Sequence, residues 1–575
     1  MKYNSLHTCI TLAITVGRSV GFLAPIRTTI SSSTSCLHLH THAETEITEE
    51  DPLRVIIAGG GIGGLALSQS LSKNPNISVT LLERNEQLSE TCGGRSIQLA
   101  SNSLQVIKEM DSDIYNEIMN SNFTCIGDKE NGIIDGIRDE WYTKFDVSTP
   151  ALQRNMSLSG VISRNTLQQV YLDAIPEDVV QYRDSVVSYD EIKSGYGLNV
   201  FTESGLSIFG DVLIGADGIW SSVRGAMRDE PIRGDGSGIS YSGYKVFSGE
   251  LNYQSFDKGQ VGYKLYIGPG AQYFVITDVG NDRYQWHAYL ASPPDTSADE
   301  AMLRGSSTFL QNTFDGWSKD IQHILNATNE DEIEQIDLYD MQPSVIQLWS
   351  KGCVVLLGDA VHAMLPNLDQ GECQAIEDAY VLAQELNSAS SREEIEMKLK
   401  SYNKRRLIRS AVVQGLSRFA SDIIIRGFNT PSKIIKTEEG MKFENLNYSG
   451  IVTKLLQPII PIFISIQLKF LFAGWKNDSI VDLNAAIRFL TVGSIILLIC
   501  FGIVEESALF AGLGVEGLLG IEGIGDAKLG TMLGPVNEVF DVTDVIDFIQ
   551  DKTDVNVYDI VEDKMESYAR IELQR

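Results

Sequence analysis

The segment that most limits what this chain can fold into is Gly59-Gly60-Gly61-Ile62-Gly63-Gly64, read as Gly59-x-Gly61-x-x-Gly64. It follows an apolar run of strand length, Leu53 to Ala58, and opens a helical pattern from Ile62 to Leu71. Ser78 to Leu82 then alternates as a second strand and ends at Glu83. Strand, glycine turn, helix and strand within about thirty residues make a βαβ unit, the shortest route to two parallel strands. Gly59 permits the tight turn, Gly61 lets backbone approach a pyrophosphate, and Gly64 lets helix and strand pack closely. The helix N-terminus offers free N–H groups and a positive dipole end to phosphates. A carboxylate at Glu83 can accept both ribose hydroxyls of an adenosine. The motif therefore predicts a dinucleotide site without choosing between FAD and NAD.

Downstream the pattern changes. From Val170 to Ser350 short strands alternate with Gly, Asp and Asn turns, which suits a largely antiparallel sheet inserted into the nucleotide fold. A strand at Cys353 to Leu357 leads into a helix starting near Gln370, and an Arg- and Lys-rich helix runs from Glu393 to about Arg418. The fold class expected is α/β: a Rossmann-like FAD-binding domain with an inserted, largely antiparallel β-sheet substrate domain and C-terminal helices. Residues 51–430 form that unit, with the substrate sheet mainly within 171–350. Residues 431–515 are an apolar helical region and 516–575 an acidic tail.

The formal net charge of −30 argues against a nucleic-acid partner, since a polyanion gains nothing by displacing counterions from another. It also means that any membrane contact must use apolar surface. Seven scattered cysteines, with no C-x-x-C pair, suggest neither a zinc site nor a disulfide framework, so no metal ligand is assigned.

Two further motifs choose the cofactor. Asp211 to Arg224 (Asp-Val-Leu-Ile-Gly-Ala-Asp-Gly-Ile-Trp-Ser-Ser-Val-Arg) resembles the Asp-Gly fingerprint of aromatic-hydroxylase-type flavoprotein monooxygenases, with Asp217, Gly218, Ser221 and Arg224 in register. Gly358 to Pro366 resembles their Gly-Asp fingerprint, in which the aspartate, here Asp359, holds the ribityl chain of FAD. Within that group, Val161 to Gln169, Tyr241 to Tyr244, Gln272 to Val275, Gln285-Trp286 and Ala375 to Asp378 look like segments of zeaxanthin epoxidases. The resemblance runs from about Leu53 to Trp475. It implies FAD held by Gly59, Gly61, Gly64, Glu83, Asp217, Gly218, Asp359, Pro366 and Gly371. Arg164 would help to hold the cofactor, and Arg84 would lie beside its adenosine. The forkhead-associated domain that ends plant zeaxanthin epoxidases is not visible in this sequence.

The resemblance further implies a monooxygenase using O2, with electrons from NADPH or reduced ferredoxin, that epoxidises the β-ring of a xanthophyll through a flavin C4a-hydroperoxide. Such chemistry belongs to the cofactor, so no side chain is assigned as a catalytic acid or base. His362 is expected to pack or hydrogen-bond. A hydroxylase of a small soluble aromatic compound and a flavin- or carotenoid-binding paralogue without turnover are the alternatives.

Residues 1–50 read as a bipartite plastid-targeting presequence: an apolar run from Thr8 to Val16, then Phe22 ahead of a Ser-, Thr- and His-rich stretch. A carotenoid substrate and the apolar runs Ile451 to Phe472 and Phe489 to Val504 point to a thylakoid or plastid envelope membrane surface as partner. The second run is slightly short for a span, which needs about 20 residues.

One departure stands out. After Pro366 the family shows Asn-Leu-Gly-Gln-Gly-Gly, whereas this chain has Asn367-Leu368-Asp369-Gln370-Gly371-Glu372. A carboxylate about 5 Å from the flavin N1 edge would repel the reduced ring by about 3 kcal/mol at an effective dielectric near 20. Both carboxylates are therefore expected to face solvent, where they suit the first turn of a helix.

Overall fold

The computed structural model describes residues 46–88, 95–192, 196–252, 259–268, 272–291, 307–422, 433–437, 440–444 and 459–473. The presequence up to residue 45, the run from Phe489 to Val504 and the acidic tail lie outside them.

The elements that matter for the site are β1 (Leu53–Ala58), α1 (Ile62–Leu71), β2 (Ile77–Glu83), α2 (Arg164–Asp173), β3 (Val180–Tyr182), β4 (Val212–Gly215), α3 (Ser222–Arg228), β5 (Val354–Leu356), α4 (Gly371–Asn387), α5 (Ile395–Asp422) and α6 (Ile459–Ala473). Strands β5, β4, β1, β2 and β3 lie side by side in that order and all pair in parallel, with Ser350–Lys351 added antiparallel at the β5 edge. β4 and β5 are buried at every position, as expected of central parallel strands covered on both faces. Helix α4 packs on α1, and both feed one core cluster with the sheet.

The second sheet has seven strands, ordered Glu334–Met341, Ile239–Asn252, Arg283–Ala291, Gln272–Gly280, Val261–Ile267, Glu130–Asp135 and Glu140–Phe145. Every pair is antiparallel except Val261–Ile267 with Glu130–Asp135. Two strands thus come from residues 130–145, ahead of the span where the sheet was expected.

Period-two alternation splits this sheet into two apolar faces. Phe274, Ile276, Trp286 and Ala288 pack under helices Ser307–Thr313 and Lys319–Ala327. Tyr273, Val275, Tyr289, Val246 and Leu265 form the other face with Tyr244, Tyr263 and Tyr142. The Tyr273 hydroxyl donates to Asn367 Oδ1 at 2.8 Å, so this tyrosine-rich face looks onto the loop before α4.

Residues 46 and 47, ahead of the folded unit expected from 51, are tied to it. Ile47 N–H donates to Ser390 O at 3.0 Å, and Arg392 Nη1 donates to Glu46 O at 3.2 Å. At the other end a short hairpin, Lys433–Thr437 with Gly440–Glu444, precedes α6. Helix α6 is no isolated anchor. Its Leu471 and Phe472 are buried with Val413 of α5 and Met156, beside Met364. Among the described residues no helix is long and apolar enough to cross a membrane.

Candidate cofactor site

The glycine turn is built as the motif requires. Gly59 has φ +104°, and a Cβ there would lie 2.4 Å from Ala216 O; a Cβ on Gly64 would lie 2.1 Å from Gly59 O. Neither position can hold a side chain. Gly61 differs, because a Cβ on it would meet nothing within 4 Å. It caps α1 with no side-chain hydrogen bond, so the helix begins with free N–H groups facing open space. Glu83 is buried and shapes the turn: Oε2 accepts Gly60 N–H at 2.8 Å, while Oε1 accepts the Asn85 N–H at 2.9 Å and Nδ2 at 2.7 Å. Oε2 keeps a lone pair for a ribose hydroxyl. Arg84, the next residue, is exposed.

At the end of β4, Ala216 N–H donates to Ala58 O at 2.8 Å, which places the Asp-Gly motif beside the glycine turn. Asp217 works here as a helix cap. Its carboxylate accepts the Ser221 hydroxyl and the N–H groups of Ser222 at 2.8 Å and Val223 at 3.2 Å. Burial pushes this carboxyl up, and those donors only partly reverse the shift. Gly218, at φ +78°, borders open space. Arg224 is fully buried and donates from Nη1 to Ile219 O at 2.8 Å and to Ala360 O at 3.0 Å. One guanidinium thereby ties the Asp-Gly loop to the Gly-Asp loop.

The Gly-Asp loop turns at Gly358, φ +62°. Asp378 of α4 fixes it: Oδ2 accepts Gly358 N–H at 3.0 Å and lies 2.6 Å from His362 Nε2. Behind it stands a buried ion network. Arg406 bridges Asp378 at 2.6 Å and Glu377 at 2.7 Å, and Arg409 pairs with Glu377 at 2.7 Å. Burial alone would raise Glu377, but the Arg409 and Arg406 charges bring it down to about 2. His362 has the bonding role expected of it. Arg406 and Arg409 were not anticipated from the sequence. The available signal was two arginines three apart on one helix face, able to meet the consecutive carboxylates Glu377-Asp378.

Asp359 is left facing the cleft, open to solvent along the Gly-Asp loop. Desolvation by the protein walls around it, then the Glu372 charge, push its carboxyl up, against the opposing charges of His362 and Arg164.

The loop after Pro366 contradicts the expectation that both extra carboxylates face solvent. Glu372, in the first turn of α4, is paired with Arg164 at the start of α2. Asp369 sits half-buried in the left-handed region, φ +48° and ψ +37°. Burial, then the charge of Glu372, push it up to about 7. The reason is local geometry. The turn from Pro366–Leu368 into α4 needs one residue at positive φ, and aspartate is among the few non-glycine residues that tolerate it. Gly371 opens α4 with free space where a Cβ would lie.

Gly61, Gly218 and Gly371 therefore each border open space, around a cleft that also receives Asp359 and Arg164. A long dinucleotide with a central pyrophosphate fits this arrangement, and FAD is such a molecule.

Comparison with known proteins agrees. Residues 200–419 match the family described as FAD binding domain. Zeaxanthin epoxidase, chloroplastic, of an Oncidium hybrid cultivar is 39% identical over 65% of this chain and 55% of the relative. The protein of the same name from Prunus armeniaca is 36% identical over 69% and 58%. The chain thus spans a little over half the length of these relatives. Among solved structures, Klebsiella pneumoniae HpxO complexed with FAD and uric acid superposes with TM-score 0.60 at 22% identity, covering 73% of this chain and 97% of that one. A salicylate hydroxylase substrate complex gives 0.57 at 20% identity, covering 77% and 98%.

Proposed function

We propose that this chain, zeaxanthin epoxidase-like in sequence and folded as an FAD-binding monooxygenase, epoxidises the β-ring double bond of a xanthophyll. The observation that carries the reading is the meeting of the three fingerprints at one cleft, closed opposite by an apolar, tyrosine-rich sheet face. Bound FAD would supply the activation of O2 and its delivery to an electron-rich double bond. The protein's part is binding, orientation and exclusion of water. The α1 N-terminus and Gly61 receive the pyrophosphate, Glu83 the adenosine ribose, and Asp359 the ribityl chain. Pro366 and Gly371 would border the flavin. Val246, Leu265, Val275, Tyr273 and Tyr289 offer an aromatic and aliphatic wall suited to a long hydrocarbon with ring ends.

The electron donor in this reading is NADPH or reduced ferredoxin, and the site of action is the plastid, at the thylakoid or envelope membrane. Support for the location comes from the names of the relatives and from the targeting-like first fifty residues. Helix α6, which covers Met364 and Leu368 at the cleft, supplies apolar surface near the substrate's path. The experiment is turnover of purified protein with FAD, a reductant and zeaxanthin under labelled O2. Label in an epoxide supports the reading. A flavin-loaded protein that labels no carotenoid but is reduced faster in the presence of salicylate-like compounds would replace it with aromatic hydroxylation.

A further inference from the structure

We propose that helix α6 and FAD bind cooperatively, with Arg409 as the positioning residue that joins them, so that loading the cofactor seats the cover over its own cleft. The inference rests on the FAD site proposed above and adds a conformational link to it. The first observation is where α6 stands in the chain. The match to the FAD binding domain ends at residue 419, and Ile459–Ala473 lies beyond it. Its last turn is nonetheless built into the surroundings of the cofactor site. Leu471 and Phe472 are buried with Val413 and Met156 beside Met364, and Phe470 packs with Val412 and Leu416 beside Leu368. Met364 and Leu368 belong to the segment that runs from the Gly358 turn to the start of α4.

The second observation is what Arg409 holds. Its Nη2 donates to Leu471 O at 2.8 Å and its Nη1 to Phe470 O at 3.5 Å, with the guanidinium 5.5 Å from the centre of the Phe470 ring. Both carbonyls are among the last four of α6, which have no partner within the helix, and a cation suits that negative dipole end. The same guanidinium donates to Glu377 of α4, from Nε at 2.7 Å and from Nη2 at 2.8 Å. One buried arginine therefore serves two helices. If α6 withdrew, Arg409 would keep its carboxylate but lose two acceptors, and a buried donor left unpaired is costly.

From Glu377 the tie reaches the cofactor cleft by two short routes. Glu377 Oε1 accepts Asn102 Nδ2 at 2.8 Å, and the same Nδ2 donates to Gln370 Oε1 at 3.2 Å, immediately before Gly371. Arg406 pairs with Glu377 Oε2 and with Asp378 Oδ1, and Asp378 Oδ2 accepts Gly358 N–H at 3.0 Å. Gly358 and Gly371 are the two ends of the segment that α6 covers. A bound cofactor fixes both ends, and the fixed network holds Arg409 ready to cap α6. Coupling of this kind is reciprocal: whatever factor FAD adds to the seating of α6, the seated helix adds to FAD affinity. A seated α6 lays apolar side chains over Met364 and Leu368, which serves the exclusion of water that the proposed oxygen transfer needs.

The test is hydrogen exchange of the full chain with and without FAD. It is read at α6 and, as a reference for general stabilisation, at helix Lys319–Ala327 on the far face of the second sheet. FAD should slow exchange in α6 about tenfold more than in the reference helix. Arg409→Lys keeps a charge for Glu377 but lacks the fork that also reaches α6, and in it that difference should vanish. Phe472→Ala, which loosens the apolar seat and none of the ion pairs, should bind FAD about tenfold more weakly. Equal slowing of both helices, or a Phe472→Ala protein that melts lower at unchanged FAD affinity, overturns the inference and leaves the proposed function standing. A wild-type chain that takes up no FAD overturns both.

Discussion

Arg164 and Glu372, 208 positions apart in the chain, form an ion pair across the cofactor cleft, joining the starts of α2 and α4. Arg164 was expected to hold FAD, and Glu372 stands where the resembling family has glycine. The pair makes the protein's own carboxylate a competitor for the cationic group. Both side chains are about a quarter to a third exposed, so the attraction is that of a screened pair, about 0.2–1 kcal/mol.

Glu372→Gln should therefore tighten FAD binding by up to about fivefold, since the freed guanidinium can turn to the cofactor. Removing a negative charge near the flavin should also raise its reduction potential, by roughly 30 mV or less. Flavin fluorescence titration and spectroelectrochemistry would measure the two effects. Weaker binding in the variant would mean that Glu372 positions Arg164 for FAD and does not compete for it.

Asp378 is predicted to be the most sensitive position behind the site. It is fully buried and holds Gly358 N–H, His362 and Arg406 together. Burial would raise its carboxyl, and the His362 and Arg406 charges more than reverse this. Asp378→Asn leaves Arg406 short of one charge partner in the interior, a change that costs about 3–5 kcal/mol when a buried pair is broken. The melting temperature should fall by roughly 5–10 °C, and FAD should be lost on gel filtration because the Gly358 turn loses its anchor. Retention of FAD at an unchanged melting temperature would defeat this account.

Most of this site could be seen in the sequence, because backbone constraints leave local marks. β1 and α1 begin and end where the apolar runs do, the turn at Gly59 needs glycine for reasons readable from spacing, and Gly358 was legible through the resemblance of its segment to the family's Gly-Asp fingerprint. What spacing could not supply was pairing between distant segments. Arg406 and Arg409 look like ordinary charges on a polar helix until α5 is laid against α4. Glu372 looks like a harmless first-turn acid until α2 brings Arg164 to it. The strands at 130–145 pair with each other as a hairpin, but their place in the sheet depends on a parallel pairing with the distant Val261–Ile267, which spacing does not reveal.

The two kinds of glycine in the first motif should separate experimentally. Gly64→Ala drives a methyl to 2.1 Å from Gly59 O, backbone against backbone, and nothing nearby can yield. It should give little soluble protein. Gly61→Ala enters open space at an ordinary φ of −64°, so the fold should lose about 1 kcal/mol or less, the difference between glycine and alanine at a helix cap. That protein should melt within a few degrees of wild type yet bind FAD at least tenfold more weakly, because the methyl occupies space meant for the pyrophosphate. Equal FAD affinity in Gly61→Ala would place the phosphates elsewhere.

Asp369 should also give stability a pH dependence of definite sign. Its carboxyl titrates at about 7 in the folded chain, against 3.8 for an ordinary aspartate, through burial and the Glu372 charge. Between those values the folded state holds a proton that the unfolded state has released. Stability from this group is therefore greatest at low pH and is lost as pH rises through about 7. Other carboxyls titrate too, Asp359 among them, so the informative quantity is the difference from a variant that cannot ionise there. Asp369→Asn keeps the size and tolerates the left-handed backbone. Its melting temperature should come closest to wild type below the ordinary value of 3.8, pull ahead as pH rises toward about 7, and exceed it by several degrees above that. A difference that stays constant across that range would show that Asp369 does not become charged inside the fold.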